Sequence, residues 1–198
     1  MSDWFSVEKI DDTTFVISEY QHWEEPHSYL LLGNHRALLI DTGLGVSNIK
    51  KVVDELTRLP ILVLTTHVHW DHIGGHKYFN EIAVHDLEKD WLLHFPLPLS
   101  VVKKSLLKEP CHFPKEFNID QYEIYKGSFT MILNDQDMID IGNRVIKVIH
   151  TPGHSLVIAV FMILIESIYL QEIWYIKENW MFIIRQPILL ILRIQLIR

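Results

Sequence analysis

The sequence is almost without cysteine and has no excess of positive charge. Cys111 is the single cysteine in 198 residues, so the chain can form neither an internal disulfide framework nor a thiolate zinc site. The formal net charge is −7 at pH 7. We therefore expect no nucleic-acid partner, because proteins that bind the phosphate backbone cluster Lys and Arg. Residues 1–4 lack the cationic start and apolar core of a signal peptide, and we expect a cytoplasmic location.

The last 43 residues lack three residue types that are common elsewhere in the chain. Residues 156–198 contain no Gly, Asp or His, and Ile supplies 12 of the 43 positions. The apolar run at 156–165 is too short to span a bilayer, and the run at 181–198 is interrupted by Arg185, Gln186 and Pro187, so we expect no membrane span. We predict one domain at residues 1–155, followed by an aberrant hydrophobic tail at 156–198 that is no separate domain.

Strand and helix signals alternate along the first 150 residues, which indicates a layered α/β (α+β) protein. Turn residues at Asp11-Asp12 and Gly33-Asn34 separate apolar runs, and each pair of runs predicts a hairpin. Ser47 is predicted to cap a helix that ends before Pro60. We predict strands at 4–10, 13–18, 29–32, 37–40, 61–66, 82–85, 129–133 and 144–150, and helices at 49–56, 86–94 and 100–108.

Three histidines and an aspartate follow the strand at 61–66 directly, in the run His67-Val68-His69-Trp70-Asp71-His72. Among non-thiol groups, neutral imidazole and carboxylate are the ligands that zinc prefers. Side chains at i and i+2 of extended backbone point the same way, so His67 and His69 can share one metal. Asp71 and His72 then turn onto a neighbouring position. This run predicts a metal centre at the carboxyl end of a strand.

Two further side chains are placed at strand ends. Asp41 begins Asp41-Thr42-Gly43 after the second hairpin. A buried carboxylate is costly unless it is bonded, so we expect Asp41 to accept hydrogen bonds from the backbone or from a metal-ligating histidine. His154 follows the strand at 144–150 through a Pro-Gly turn, which makes it the natural third ligand.

Together these motifs resemble the metallo-β-lactamase-fold hydrolases. The resemblance rests on Asp41-Thr42-Gly43, His67 to His72, Gly74-Gly75 and Thr151-Pro152-Gly153-His154, in the family's order. It implies a four-layer αββα sandwich over residues 1–155, with the metals at one edge of two sheets and the C-terminal half incomplete.

Carried over residue by residue, the resemblance also implies roles for the site. His67, His69 and His154 match the ligands of a first zinc ion. Asp71 and His72 match ligands of a second, and Asp71 also matches the catalytic carboxylate beside the attacking water. Asp41 matches the buried acid that supports the histidines from the second shell of the site.

The function implied is a zinc-dependent hydrolase acting on a small-molecule substrate. Zinc lowers the pKa of bound water to about 7, and the resulting hydroxide would attack a thioester or ester-type carbonyl. The family's complete site holds two zinc ions, but its bridging aspartate and last histidine have no match in 156–198, so we expect one zinc and weak or absent activity. The alternative is a non-enzymatic metal-binding or interaction protein with a hydrophobic tail. The oligomeric state does not follow from the sequence.

The tail admits three interpretations: a membrane anchor, a partner-binding amphipathic segment, or the product of a shifted reading frame. Codons for residues 171–182, each begun one nucleotide earlier, permit Thr-Gly-Asp-Leu-Val-Tyr-Lys-Gly-Lys-Leu-Asp-Val. The genetic code forces the first Val and the final Leu-Asp-Val. Because this frame supplies the missing Gly-Asp, we predict a nucleotide lost near the Ser155 codon.

Overall fold

The computed structural model describes residues 4–151, and beyond them the backbone of strands between residues 158 and 192. The strands are β1 (Ser6–Asp11), β2 (Thr14–Ser18), β3 (His27–Leu32), β4 (Ala37–Ile40), β5 (Ile61–Leu64), β6 (Glu81–His85), β7 (Met131–Leu133), β8 (Met138–Asp140), β9 (Val145–Thr151), β10 (Ile158–Leu164), β11 (Ile176–Lys177), β12 (Trp180–Ile184) and β13 (Leu189–Leu192). The α-helices are α1 (Ile49–Leu56), α2 (Trp70–Ile73), α3 (Lys89–Leu93) and α4 (Leu99–Leu106), and short 3-10 helices cover His76–Tyr78, Asp86–Glu88 and Ile119–Gln121.

The largest sheet contains β1 to β7 in sequence order. Strands β1 to β4 form an antiparallel meander, whereas β4, β5, β6 and β7 run parallel. The parallel register pairs Ile40 with Leu64 and Leu64 with Ala83. Because parallel strands end at the same edge of a sheet, the segments that follow β4, β5 and β6 lie side by side.

Both faces of the large sheet are covered, which explains the continuous apolar runs of β4 and β5. Leu39 and Val63 point to a cluster that includes Ile49 and Val53 of α1, whereas Leu38 and Leu62 point to the opposite cluster. That second cluster is closed by side chains from the sheet formed by β8, β9 and β10. The order of layers is therefore helix, sheet, sheet.

The strand β10 pairs with β9 along its length, from Ile158 opposite Thr151 to Leu164 opposite Val145. A further antiparallel sheet contains β11, β12 and β13. Among the residues that are described, no helix is both long and apolar enough to cross a membrane.

Most of the elements predicted for residues 4–151 are present. The helix predicted at 86–94 is divided into the 3-10 helix Asp86–Glu88 and α3, α2 was not predicted as a helix, and β10 to β13 lie in the segment for which no element was predicted. Both hairpins form, as β1–β2 and β3–β4. The cap of α1 is Asn48 and not Ser47, since Asn48 Oδ1 accepts from the backbone N–H of Lys50 at 3.0 Å. Strand β8 was not predicted, because it is three residues long and only Ile139 within it is buried, which is too little for an alternating pattern.

Candidate metal centre

The run from His67 to His72 lies where the backbone leaves β5 at the edge of the large sheet. The backbone of His69 is extended, its N–H donates to His67 O at 3.1 Å, and α2 begins directly after it, so the chain turns within the motif. The ring centroids of His67 and His69 lie 4.4 Å apart, and those of His67 and His72 lie 4.2 Å apart. His67 and His72 are buried, whereas His69 is half-buried. The three imidazoles form one compact group that reaches solvent at His69.

Asp41, at the end of β4, joins this group through hydrogen bonds. Its φ of 57° lies in the left-handed region, which Asp tolerates better than most residues. Oδ1 accepts from the backbone N–H of Thr66 at 2.9 Å, and Oδ2 accepts from the Thr66 hydroxyl at 2.6 Å. Oδ2 also lies 2.7 Å from Nδ1 of His72. The hydrogen bonds expected of Asp41 are thus present, to the backbone and to a histidine of the motif.

The same contacts define the tautomer of His67. The Thr66 oxygen lies 3.0 Å from His67 Nδ1. Because the Thr66 hydroxyl donates its hydrogen to Asp41, its oxygen accepts from Nδ1–H of His67. The proton of a neutral His67 is then on Nδ1, and the lone pair is on Nε2. A hydrogen bond from Nδ1–H is the usual way in which a protein orients an imidazole whose Nε2 binds a metal.

Asp71 and His72 form a buried charged pair. Oδ2 of Asp71 lies 3.3 Å from Nε2 of His72. Burial acts to raise the pKa of Asp71, but His72 and then His69 hold this pKa below its usual value. Burial acts to lower the pKa of His72, yet the carboxylates of Asp71 and Asp41 raise it well above the usual range. A metal that binds Nε2 of His72 must therefore displace a proton.

Two glycines after the motif let the turn after β4 approach closely. The backbone N–H of Gly74 donates to Gly43 O at 2.8 Å, and Gly75 N–H donates to the Thr42 hydroxyl at 3.0 Å. A Cβ on Gly74 would lie 2.2 Å from the carbonyl oxygen of Leu44. The two loops are held together by backbone contacts that leave no room for a side chain at residue 74.

His76 bridges the residues that follow β4 and β5. It is fully buried, with Nδ1 2.7 Å from Thr42 Oγ1 and Nε2 2.9 Å from Thr65 Oγ1. Burial, with a smaller effect from His72, lowers the pKa of His76 to about 3. A neutral imidazole that is bonded on both sides is a structural group, not a ligand.

Two buried acids near the centre carry no signal in the sequence. Glu19 accepts from the indole N–H of Trp4 and from Leu44 N–H, and burial, supplemented by the charge on Asp71, raises its pKa to about 8. Burial and the charge on Asp71 likewise raise the pKa of Glu24 to about 7. Each is a single Glu in a loop or at a strand end, so only the fold reveals that it is buried within the electrostatic influence of Asp71.

The structure brings together His67, His69, Asp71, His72 and Asp41, whereas His154 lies outside the described residues. Within residues 4–151, no three His, Cys, Asp or Glu side chains meet in a geometry that would by itself hold a metal ion. The donor set nevertheless fits zinc, since it combines imidazoles with a carboxylate whose Oδ1 is buried and has no hydrogen-bond partner.

Comparison with known proteins places these motifs in one family. A model of the metallo-beta-lactamase superfamily matches residues 23–168. The chain belongs to the metallo-beta-lactamase superfamily. It is 28% identical over 170 residues to acyl-coenzyme A thioesterase MBLAC2 of Homo sapiens, covering 77% of this chain and 60% of that protein. For the probable metallo-hydrolase YqgX of Bacillus subtilis, the identity is 24%, covering 66% of this chain and 57% of that protein.

Solved metallo-beta-lactamases share the fold. The subclass B3 enzyme BJP-1 of Bradyrhizobium japonicum superposes with a TM-score of 0.57 at 18% identity, covering 82% of this chain and 58% of that chain. A motif mutant of the metallo-beta-lactamase from Cronobacter sakazakii has a TM-score of 0.57 at 17% identity, covering 80% and 59%. The predicted fold class is confirmed, and the chain spans about 60% of the length of the curated thioesterases that it matches.

Proposed function

We propose that this chain is a zinc-dependent hydrolase that binds one zinc ion through His67, His69 and His154. The observation that carries the proposal is the approach of the His67 ring to its two neighbours at the end of β5, with Nε2 of His67 left as the ligand atom by the Thr66 contact. We propose one ion for residues 1–198, because residues 156–198 contain no Asp or His to match the remaining ligands of the second site that Asp71 and His72 begin.

The chemistry divides between the ion and the protein. When bound, zinc supplies a Lewis acid that brings the pKa of a coordinated water to about 7. Asp71 contributes a carboxylate whose Oδ1 is buried and without a hydrogen-bond partner, so this oxygen is free to accept a hydrogen bond from the nucleophilic water and to orient it. Neighbouring imidazoles keep Asp71 ionised. Asp41 holds His67, through Thr66, and His72 in the required orientations.

We propose a thioester, or a related ester, as the substrate. The support is the similarity to acyl-coenzyme A thioesterases, at 28% identity for the protein of Homo sapiens and 30% for that of Gallus gallus. The donor set itself suits any carbonyl that a water attacks, so the ligands do not distinguish thioesters from esters.

Metal content of purified variants tests the ligand assignment. The wild-type chain should retain up to one zinc per molecule after dialysis, measured by elemental analysis. Alanine at His67, His69 or His154 should lower this content, whereas alanine at the exposed His94 or His112 should not. Equal zinc loss in both groups, or two tightly held ions per chain, would contradict the proposal.

Hydrolysis is then measured with an acyl-coenzyme A and with an activated ester. Slow zinc-dependent hydrolysis that Asp71→Asn abolishes would support an enzyme. Zinc binding at His67 and His69 without hydrolysis of either compound would favour the alternative, a non-enzymatic metal-binding protein.

A further inference from the structure

Glu88 is a buried carboxylate that lies next to the candidate metal centre. It ends the 3-10 helix Asp86–Glu88, which follows β6 directly, and its relative exposure is 1%. Glutamate is rarely buried to this extent, because an ionised carboxylate loses its hydration unless polar partners replace it. The burial of Glu88 therefore requires a specific polar partner.

The carboxylate of Glu88 contacts the metal motif itself. Its Oε2 accepts a hydrogen bond from the backbone N–H of Val68, the residue between His67 and His69. The backbone hydrogen bonds between β5 and β6 do not extend to Val68. Strand β5 ends at Leu64, and the next residue, Thr65, donates its N–H to Ala83 O of β6. Val68 N–H is thus held by a side chain and not by a strand neighbour.

The motif is held from both sides. Asp41, after β4, accepts from Thr66 N–H, and Glu88, after β6, accepts from Val68 N–H. The strands β4 and β6 flank β5 in the sheet. The N–H groups of Thr66 and Val68, which lie on either side of His67 in the chain, are therefore bonded to acids from the two neighbouring strand ends.

We propose that Glu88 is a positioning residue that sets the peptide between His67 and His69, so that the two rings converge on one ion. The inference rests on the proposed zinc site. The positioning role requires an acceptor oxygen at the distance from the backbone that a glutamate side chain spans. The role does not require the negative charge. Gln and Asp separate these properties, because Gln keeps the reach and an acceptor oxygen, whereas Asp keeps the charge and is one methylene shorter.

The experiment compares the full-length wild type with E88Q, E88D and the surface control E116D. Zinc affinity is measured by competition with a chromophoric chelator, and folding is checked by thermal melting in EDTA. E88Q and E116D should bind zinc within about threefold of the wild type, whereas E88D should lose about 10–100-fold, the usual effect of removing an outer-sphere partner. Co²⁺ absorption spectra should change in E88D alone.

The outcomes are distinct. If E88D binds zinc as the wild type does, or if E88Q loses as much affinity as E88D, the positioning role is overturned. An affinity loss that disappears once the folded fraction is taken into account also overturns it, because Glu88 would then act on stability only. If the wild type itself binds no zinc, while E88D and E88Q melt normally, the proposed function is refuted, and this inference, which rests on it, is refuted as well.

Discussion

Replacing Asp41 by Asn should place the proton of His67 on the wrong nitrogen. Asn keeps the volume of Asp and tolerates the left-handed φ of 57°. If its oxygen keeps the bond from Thr66 N–H, its amide N–H₂ replaces Oδ2 and can no longer accept from the Thr66 hydroxyl. That hydroxyl must then donate to His67 Nδ1, 3.0 Å away, which moves the imidazole proton to Nε2, the ligand atom. In the opposite orientation of the amide, its N–H₂ would face the Thr66 N–H, and two donors would then oppose each other.

The expected magnitudes follow from these contacts. Zinc affinity should fall about 10–100-fold, as when other residues that hydrogen-bond to metal ligands are replaced. The metal-free protein loses one charge-assisted hydrogen bond to His72, which contributes about 1.5–3 kcal/mol. At about 2–4 °C per kcal/mol for a chain of this size, Tm in EDTA should fall by about 3–12 °C.

Chelator competition and melting in EDTA measure the two effects separately. Asp12→Asn is the matched control, because the Asp12 side chain is 95% exposed and should change neither quantity. A D41N protein that binds zinc within about twofold of the wild type would refute the tautomer argument, whatever its Tm.

Three further predictions concern other parts of the chain. G74A should unfold at a much lower urea concentration than G127A, because its Cβ would lie 2.2 Å from a backbone carbonyl whereas that of G127A meets the end of a Tyr side chain. His76 has a pKa of about 3 in the fold against 6.5 ordinarily, so between these values the unfolded chain binds the His76 proton more readily, and the contribution of His76 to stability falls as pH drops below about 6.5. Glu19 and Glu24, whose raised pKa values act in the opposite direction, are present in both proteins, so the comparison of H76Q with the wild type isolates His76. In urea titrations at pH 7 and pH 5, the free energy of unfolding of H76Q relative to the wild type should be higher at pH 5 than at pH 7, and an equal difference at both pH values would show that His76 does not titrate in this way. Sequencing the coding DNA across Ser155 should reveal an open frame one nucleotide earlier, and stop codons in that frame would refute a lost nucleotide.

The sequence alone determined where the candidate ligands lie on the fold. The apolar run of β5 predicts a buried strand, and the next six residues predict the imidazole and carboxylate group at its end, since both signals are local. The hydrogen bonds of Asp41 also followed from a local rule, because a carboxylate at the end of a buried strand requires donors. The role of His154 stays a prediction from the Pro-Gly turn before it.

Only the tertiary structure decided which distant groups hold the motif. Thr66 connects Asp41 to His67 because β4 and β5 pair in parallel with Ile40 opposite Leu64, a register that no local pattern encodes. In the sequence, Glu88 looks like an ordinary surface residue of a helix. Its burial against Val68 depends on where β6 ends. Local periodicity identifies strands and the residues at their ends, whereas the partners of a buried polar atom depend on the pairing of segments far apart in the chain.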